Sequence, residues 1–229
     1  MKTATGRVVA VSAGTAGPLT FDGKTDRSAF VKAPLVGPVA VGPLGIEGDE
    51  HVFAAHGGPD QALLVYSQDH YPSWRSRGYD LPEVAAFGEN LTVAGLTEDL
   101  VHLGDTFQIG SVTARVTCPR IPCYKIGYRY GDPGLPVAMQ DALNPGYMLG
   151  VVEPGTLAAG DEMRLIDRGA GSVTVAEAAR VVARDRDDWE GVAGVAAVPA
   201  LAEAMRRQLL ARLERRTLGD DRLRLFGPQ

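Results

Sequence analysis

Apolar and polar residues alternate with a period of two at several places in the chain, as half-buried strands require. The clearest case is Val112, Ala114 and Val116, which alternate with Thr113, Arg115 and Thr117. Pro119 and Pro122 then end that ladder and stiffen the chain beyond it. Residues 6–13 predict a first strand, and residues 30–33 and 39–41 predict short ones. Residues 14–28, rich in glycine, threonine and aspartate, read as a loop. Val101 to Ser111 predicts two short strands joined at Gly104-Asp105, and the same texture returns at 147–152 and 160–166. Many short strands with Gly-Asp turns imply a mostly β, barrel-like or sandwich-like domain with peripheral helices.

Helical signals are few in this region and dense after it. Ser67 predicts a cap for a helix over 68–77, with Tyr71 and Trp74 on one face and Gly78 at its end. Beyond residue 168 glycine thins out and alanine, leucine and arginine dominate. Thr174 and Glu177 form a capping-box pattern ahead of a helix over 175–183. A second helix is expected over 187–195 with Trp189 in the core. Pro199 predicts the first turn of a third, on which Leu201, Met205, Leu209 and Leu213 form one apolar stripe. The expected division is therefore 1–168 for the first domain and 169–229 for a small three-helix domain. A unit of about 60 residues is marginal alone and should dock on the first domain or on a partner subunit.

Composition narrows the function classes. A hydrophobic content of 45% in 229 residues supports one large or two smaller domains, and the net charge of -5 offers no long-range attraction to nucleic acid or an anionic membrane. Arg206, Arg207, Arg212, Arg215 and Arg216 fall mostly off the apolar stripe, among acidic residues and without aromatic neighbours, which predicts a solvated face. No apolar run approaches the roughly 18 residues of a membrane span, and no secretion signal is read at the start, so a cytoplasmic location is expected.

Candidate chemistry concentrates in Thr117-Cys118-Pro119-Arg120-Ile121-Pro122-Cys123-Tyr124-Lys125, which holds both cysteines. Two thiols are too few for a disulfide framework or a four-thiolate cluster, and their spacing is not that of a Cys-x-x-Cys pair. A thiol between two cations suits a soft anionic ligand or thiolate chemistry; two inert buried thiols are the alternative. His56-Gly57-Gly58 could present an imidazole and backbone amides to an oxyanion. Glu89 and Asn90 follow Phe87-Gly88, where they can shape a turn, and Asp49 and Asp60 read as turn or capping acids. His51, His70 and His102 carry no comparable signal.

Three segments together carry a resemblance: Gly45-Ile46-Glu47-Gly48-Asp49 with His56-Gly57-Gly58-Pro59-Asp60, then Phe87-Gly88-Glu89-Asn90-Leu91-Thr92, then Pro119-Arg120-Ile121-Pro122-Cys123-Tyr124-Lys125. The chain resembles the MOSC domain family, and within it the YiiM-like bacterial proteins that append a short three-helix domain. The resemblance implies a β-barrel-like domain that binds a molybdenum cofactor (molybdopterin), with the metal ligated by Cys123. It implies Arg120, Lys125, Asn90, Glu89, His56, Gly57 and Gly58 as cofactor contacts, and His56 beside Cys123 as a catalytic residue that supplies a proton. The implied activity is reduction of N-hydroxylated small molecules, such as hydroxylaminopurines or amidoximes, to amines, with electrons from an external electron-transfer protein or reductase. The alternative is a non-catalytic module that carries the cofactor or sulfur on Cys123. Neither nucleic acid nor membrane is an expected partner, and the chain is expected to act as monomer or homodimer. Gln61 stands where relatives often carry lysine, which removes positive charge near the cradle.

Overall fold

The computed structural model describes residues 4–53, 57–169 and 173–228. In chain order the barrel region contains β1 (Thr5–Ala13), β2 (Gly17–Phe21), β3 (Lys24–Ser28), β4 (Ala33–Pro34), β5 (Val39–Gly42), β6 (Gly45–Ile46), β7 (Leu63–Ser67), α1 (Tyr71–Ser76) and β8 (Leu91–Ala94). It continues with β9 (Thr106–Ile109), β10 (Val112–Pro119), α2 (Tyr124–Tyr130), α3 (Leu135–Asp141), β11 (Tyr147–Glu153), β12 (Gly155–Leu157) and β13 (Glu162–Asp167). The tail holds α4 (Val175–Ala179), α5 (Trp189–Ala196), α6 (Glu203–Arg215) and α7 (Arg222–Phe226).

Seven strands close into a barrel in the order β13-β9-β10-β11-β7-β8-β1, and the pairing of β1 with β13 shuts it. The pairings are antiparallel except β7 with β8, whose connection passes through α1. β4 extends the edge of β1, while β12, β5 and β6 form a separate small sheet. Closure removes the free edges that an open sheet of this size would carry. On β10, Val112, Ala114 and Val116 face the interior with no exposure. Thr113 and Thr117 are buried as well, because this strand is covered on both faces.

The segment expected as a loop over 14–28 is a β2–β3 hairpin. Its Asp22-Gly23 turn has φ of 49° and 72°, the double left-handed pair that two-residue hairpins favour. These strands bury only Leu19 and Ser28, and β3 is polar throughout, so no sustained apolar alternation betrays them. The strand expected at 30–33 is reduced to Ala33–Pro34. Of the two strands expected over 101–111, only β9 forms, since Asp105 folds the preceding residues into a turn by accepting the His102 N–H at 3.0 Å.

Two apolar clusters result. The first fills the barrel and runs on into the tail, joining Phe107, Val116 and Leu149 to Val175, Val192, Leu201 and Leu209. The tail thus docks by apolar burial, the dominant favourable term in such contacts. The second packs Tyr66, Tyr71, Trp74, Phe87, Ile126, Leu135 and Met139 between the barrel and α1–α3. The capping box of Thr174 and Glu177 is present at the start of α4.

Three tail expectations need correction. Trp189 is half-buried beneath the Arg216 guanidinium, 4.9 Å away, rather than in the core. Pro199 lies in a turn ahead of α6, which starts only at Glu203. Arg206 and Arg212 are not simply solvated: Arg206 donates to the carbonyls of Ala196, Val198, Pro199 and Leu201, and Arg212 to those of Val181 and Val182. The guanidinium forks satisfy carbonyls left free at helix ends, and α7 is a fourth helix that the sequence pattern did not mark.

Candidate functional site

β10 ends at Pro119, and the Arg120 N–H still donates to the Gly146 carbonyl at 3.0 Å. Pro122 then forces extended chain, and Cys123 has φ −134° and ψ 167° just ahead of α2. Cys123 is half-buried and lines a cavity of about 410 Å³. Around it stand Phe30, Lys32, Phe87, Asn90, Arg120 and Lys125 from the barrel side. Met205 and Gln208 of α6 and Arg224 of α7 complete the wall. The cavity is therefore built jointly by barrel and tail.

Cys118 also touches the cavity but is only 1% exposed, and burial pushes its thiol up to about 12. It is a poor thiolate by comparison with a half-exposed thiol beside cations.

Each nearby cation is fixed by partners. Arg120 is buried and donates to the Phe87 carbonyl at 3.1 Å and the Pro145 carbonyl at 3.4 Å. Burial pulls its pKa down, while the neighbouring acidic groups of Cys123, Tyr66 and Glu89 act in the opposite direction. Lys125 donates to the Arg27 carbonyl at 3.1 Å, sits 3.6 Å from Asp26 and lies 4.0 Å above the Phe53 ring. Lys32 bonds the Asp49 carboxylate; burial lowers its pKa and Asp49 acts against that shift.

Asn90 lines the cavity, yet its amide is engaged inside the protein. Its Oδ1 accepts from Leu64 N–H at 3.0 Å, and its Nδ2 donates to Ser12 O at 3.2 Å and Asp49 Oδ2 at 2.8 Å. Glu89 is fully buried and is not a lining residue. It accepts from the Tyr71 hydroxyl, from Phe87 N–H at 2.9 Å and from the Thr92 hydroxyl at 3.0 Å, with its pKa raised by burial. Glu89 braces the Phe87-Gly88 turn, whose Phe87 carbonyl receives Arg120, while Asn90 ties β1, β7 and Asp49 together.

His56 lies outside the described residues. Gly57 lines the cavity with φ +86°, and a Cβ there would sit 2.7 Å from the His51 ring. Only glycine fits that approach. Gly58 is not a lining residue; its carbonyl accepts from Gln61 N–H at 2.9 Å in the turn leading to β7.

The structure thus gathers Cys123, Arg120, Lys125, Asn90 and Gly57 around one cavity and leaves Glu89 and Gly58 behind its wall. Lys32, His51, Gln208 and Arg224 are wall residues that sequence reading passed over. A lone basic or amide residue with no motif around it gives no local signal, and Arg224 comes from 101 residues beyond Cys123. Among the described residues no group of three or more His, Cys, Asp or Glu side chains could hold a metal by itself.

Comparison with known proteins agrees with this architecture. Residues 53–164 match the MOSC domain and residues 173–216 match the YiiM-like, 3-alpha helix domain. The chain is 38% identical to Protein YiiM of Escherichia coli over 161 residues, covering 67% of this chain and 70% of that protein. It is 33% identical over 159 residues to a protein of Gibberella moniliformis called Reductase, covering 68% of this chain but 28% of that protein. The crystal structure of YiiM from Geobacillus stearothermophilus superposes with a TM-score of 0.77 at 31% identity, covering 91% of this chain and 99% of that one.

Proposed function

Since the chain belongs to the MOSC domain family and carries its YiiM-like helical domain, we propose that it is a molybdenum-cofactor-dependent reductase of N-hydroxylated compounds, with Cys123 as the metal ligand. The observation that carries this reading is the half-buried Cys123 thiol on the wall of a cavity of about 410 Å³, with Arg120 and Lys125 on the same wall. The donor set fits such a group. A metal that arrives with a pterin dithiolene needs only one soft ligand from the protein, and thiolate supplies it. The pterin phosphate needs cations, which Arg120 and Lys125 provide, with Lys32 and Arg224 nearby.

Bound here, the cofactor would supply the two electrons that, with two protons, turn an N–OH group into N–H and water. The protein's share is placement, charge and exclusion of water. Arg120, held by two carbonyls, presents a cation that cannot swing away. Phe30, Phe87 and Met148 give the cavity an apolar wall against which a planar substrate can lie. His56, which precedes the lining residue Gly57 in sequence, is the proposed proton donor to the departing oxygen. Electrons come from a separate reductase. The fungal protein called Reductase, in which the similar segment is 28% of the length, supports a redox role for such a segment within a larger system.

The test is metal and pterin analysis of protein made in a cofactor-competent host. Cys123→Ala should lose molybdenum and Cys118→Ala should keep it. Steady turnover of an N-hydroxylated purine or amidoxime with an added reductase should accompany retention. Metal retained without any turnover would support the carrier function instead, and metal held equally by Cys123→Ala would remove the proposal.

A further inference from the structure

We propose that Arg224 is a positioning residue for the Cys123 thiol, and that the segment from Asp220 to Pro228 is a strap built into the site. This segment lies beyond both matched regions, which end at residues 164 and 216. Arg224 Nη1 donates to the Pro122 carbonyl at 2.6 Å. That carbonyl belongs to the peptide whose nitrogen is that of Cys123. Pro122 has its φ fixed by its ring, so a charged donor on its oxygen holds the plane from which the thiol projects.

The guanidinium is itself tied down. Its Nη2 donates to Gln140 Oε1 at 3.1 Å and to Asp221 Oδ2 at 2.9 Å, and Asp221 also accepts from Arg186 at 2.6 Å. Two further contacts seat the strap on the start of α2 and on the hairpin. Gly227 has φ +77° and lies so close to Tyr124 that a Cβ would be 2.9 Å from the ring. The Pro228 carbonyl accepts from Lys24 Nζ at 3.0 Å, at the hairpin tip. The hairpin also takes the Tyr124 hydroxyl on Asp26 at 2.5 Å. Tyr124, the residue after the thiol, is thus gripped from both sides. Arg224 lines the cavity together with Cys123, so the clamp and the thiol share one wall.

This inference rests on the proposed function only where it concerns metal retention, and two measurements on the full chain keep the two apart. The first is hydrogen exchange in cofactor-free protein. Arg224→Ala should speed exchange over residues 119–126 about tenfold, as loss of one charge-assisted hydrogen bond allows, while peptides from β10 and β11 stay unchanged. Arg224→Lys, which keeps one donor for Pro122, should fall between. The second is molybdenum content and kinetics in protein from a cofactor-competent host. Arg224→Ala should lose most of the metal, and the loaded remainder should show a lower kcat at unchanged KM, with Arg224→Lys partly restoring both. Unchanged exchange over 119–126, or exchange raised equally throughout the barrel, would overturn the clamp. So would raised local exchange with metal content and kcat equal to wild type, because Arg224 would then hold a peptide without serving the thiol. If wild-type protein itself holds no molybdenum, the reductase reading fails and the exchange result alone decides the clamp.

Discussion

The Asp60 carboxylate accepts a hydrogen bond from the Glu203 backbone N–H at 3.0 Å, across 143 residues of sequence. Helix α6 has Ala202 at its N-cap and no capping side chain of its own there. The loop after Gly57-Gly58-Pro59 therefore caps a helix of the tail. The Ala202 N–H adds a second link by donating to the Thr117 carbonyl on β10 at 2.9 Å. Asp60→Ala should cost about 1 kcal/mol, the usual value of an N-cap, while Asp60→Asn should retain most of it. Urea unfolding monitored by far-UV dichroism measures this, and equal midpoints for Asp60→Ala and wild type would contradict it.

The two thiols should differ sharply in reactivity. Cys118 is 1% exposed with its pKa pushed up to about 12, and Cys123 is half-buried on the cavity wall. Iodoacetamide at neutral pH should give one adduct on the folded protein, at Cys123, and a second only after denaturation. Intact-mass and peptide mass spectra read this directly. Early labelling of Cys118 would show that the folded wall does not seal it.

Stability should fall as pH rises through the neutral range because of His70. Its Nε2 lies 2.6 Å from Glu98 Oε2, and the other oxygen of Glu98 accepts from Gly146 N–H at 2.7 Å. Burial disfavours the imidazolium, but the hydrogen bond to Glu98 and its charge outweigh that, so the His70 pKa stands above 6.5. A group with a raised folded pKa contributes its full stability below the unfolded value of 6.5 and loses it as pH climbs past the folded value. His70→Gln should flatten the decline in urea midpoint between mildly acidic and mildly basic pH. Parallel pH profiles for the two proteins would exclude this origin.

Glu89→Ala should destabilise the fold by about 3 kcal/mol, as removal of a buried, fully bonded acid does. It would strand the Tyr71 and Thr92 hydroxyls and the Phe87 N–H. Because the Phe87 carbonyl holds Arg120, the variant should also change the cavity. Thermal melting gives the first effect, and faster labelling of Cys123 gives the second.

Legibility in the sequence tracked burial. β10 was readable because Val112, Ala114 and Val116 alternate and face the core. The β2–β3 hairpin was not, since its strands bury only Leu19 and Ser28 and only Asp22-Gly23 marks it. The helix after Cys123 was missed because Gly127 interrupts a short run that carries three tyrosines, residues of modest helix propensity. At the site, the motif around Cys123 located the cavity. Asn90 and Glu89 were legible as important residues, but not as braces, because a side chain's partners depend on chain brought in from Ser12, Asp49 and Tyr71. Arg224 had no motif to announce it, since its meaning comes only from contact with Pro122.

The seam between β1 and β13 joins Thr5 to Arg164. A ribosome must therefore have released the chain at least as far as Arg164 before the first strand can find its last neighbour. Pairings of such long range form slowly, because loop closure precedes any gain from contact. The pocket needs still more of the chain, since α6 and α7 supply part of its wall. A chain cut after β13 would lack those two helices and leave the pocket open on that side.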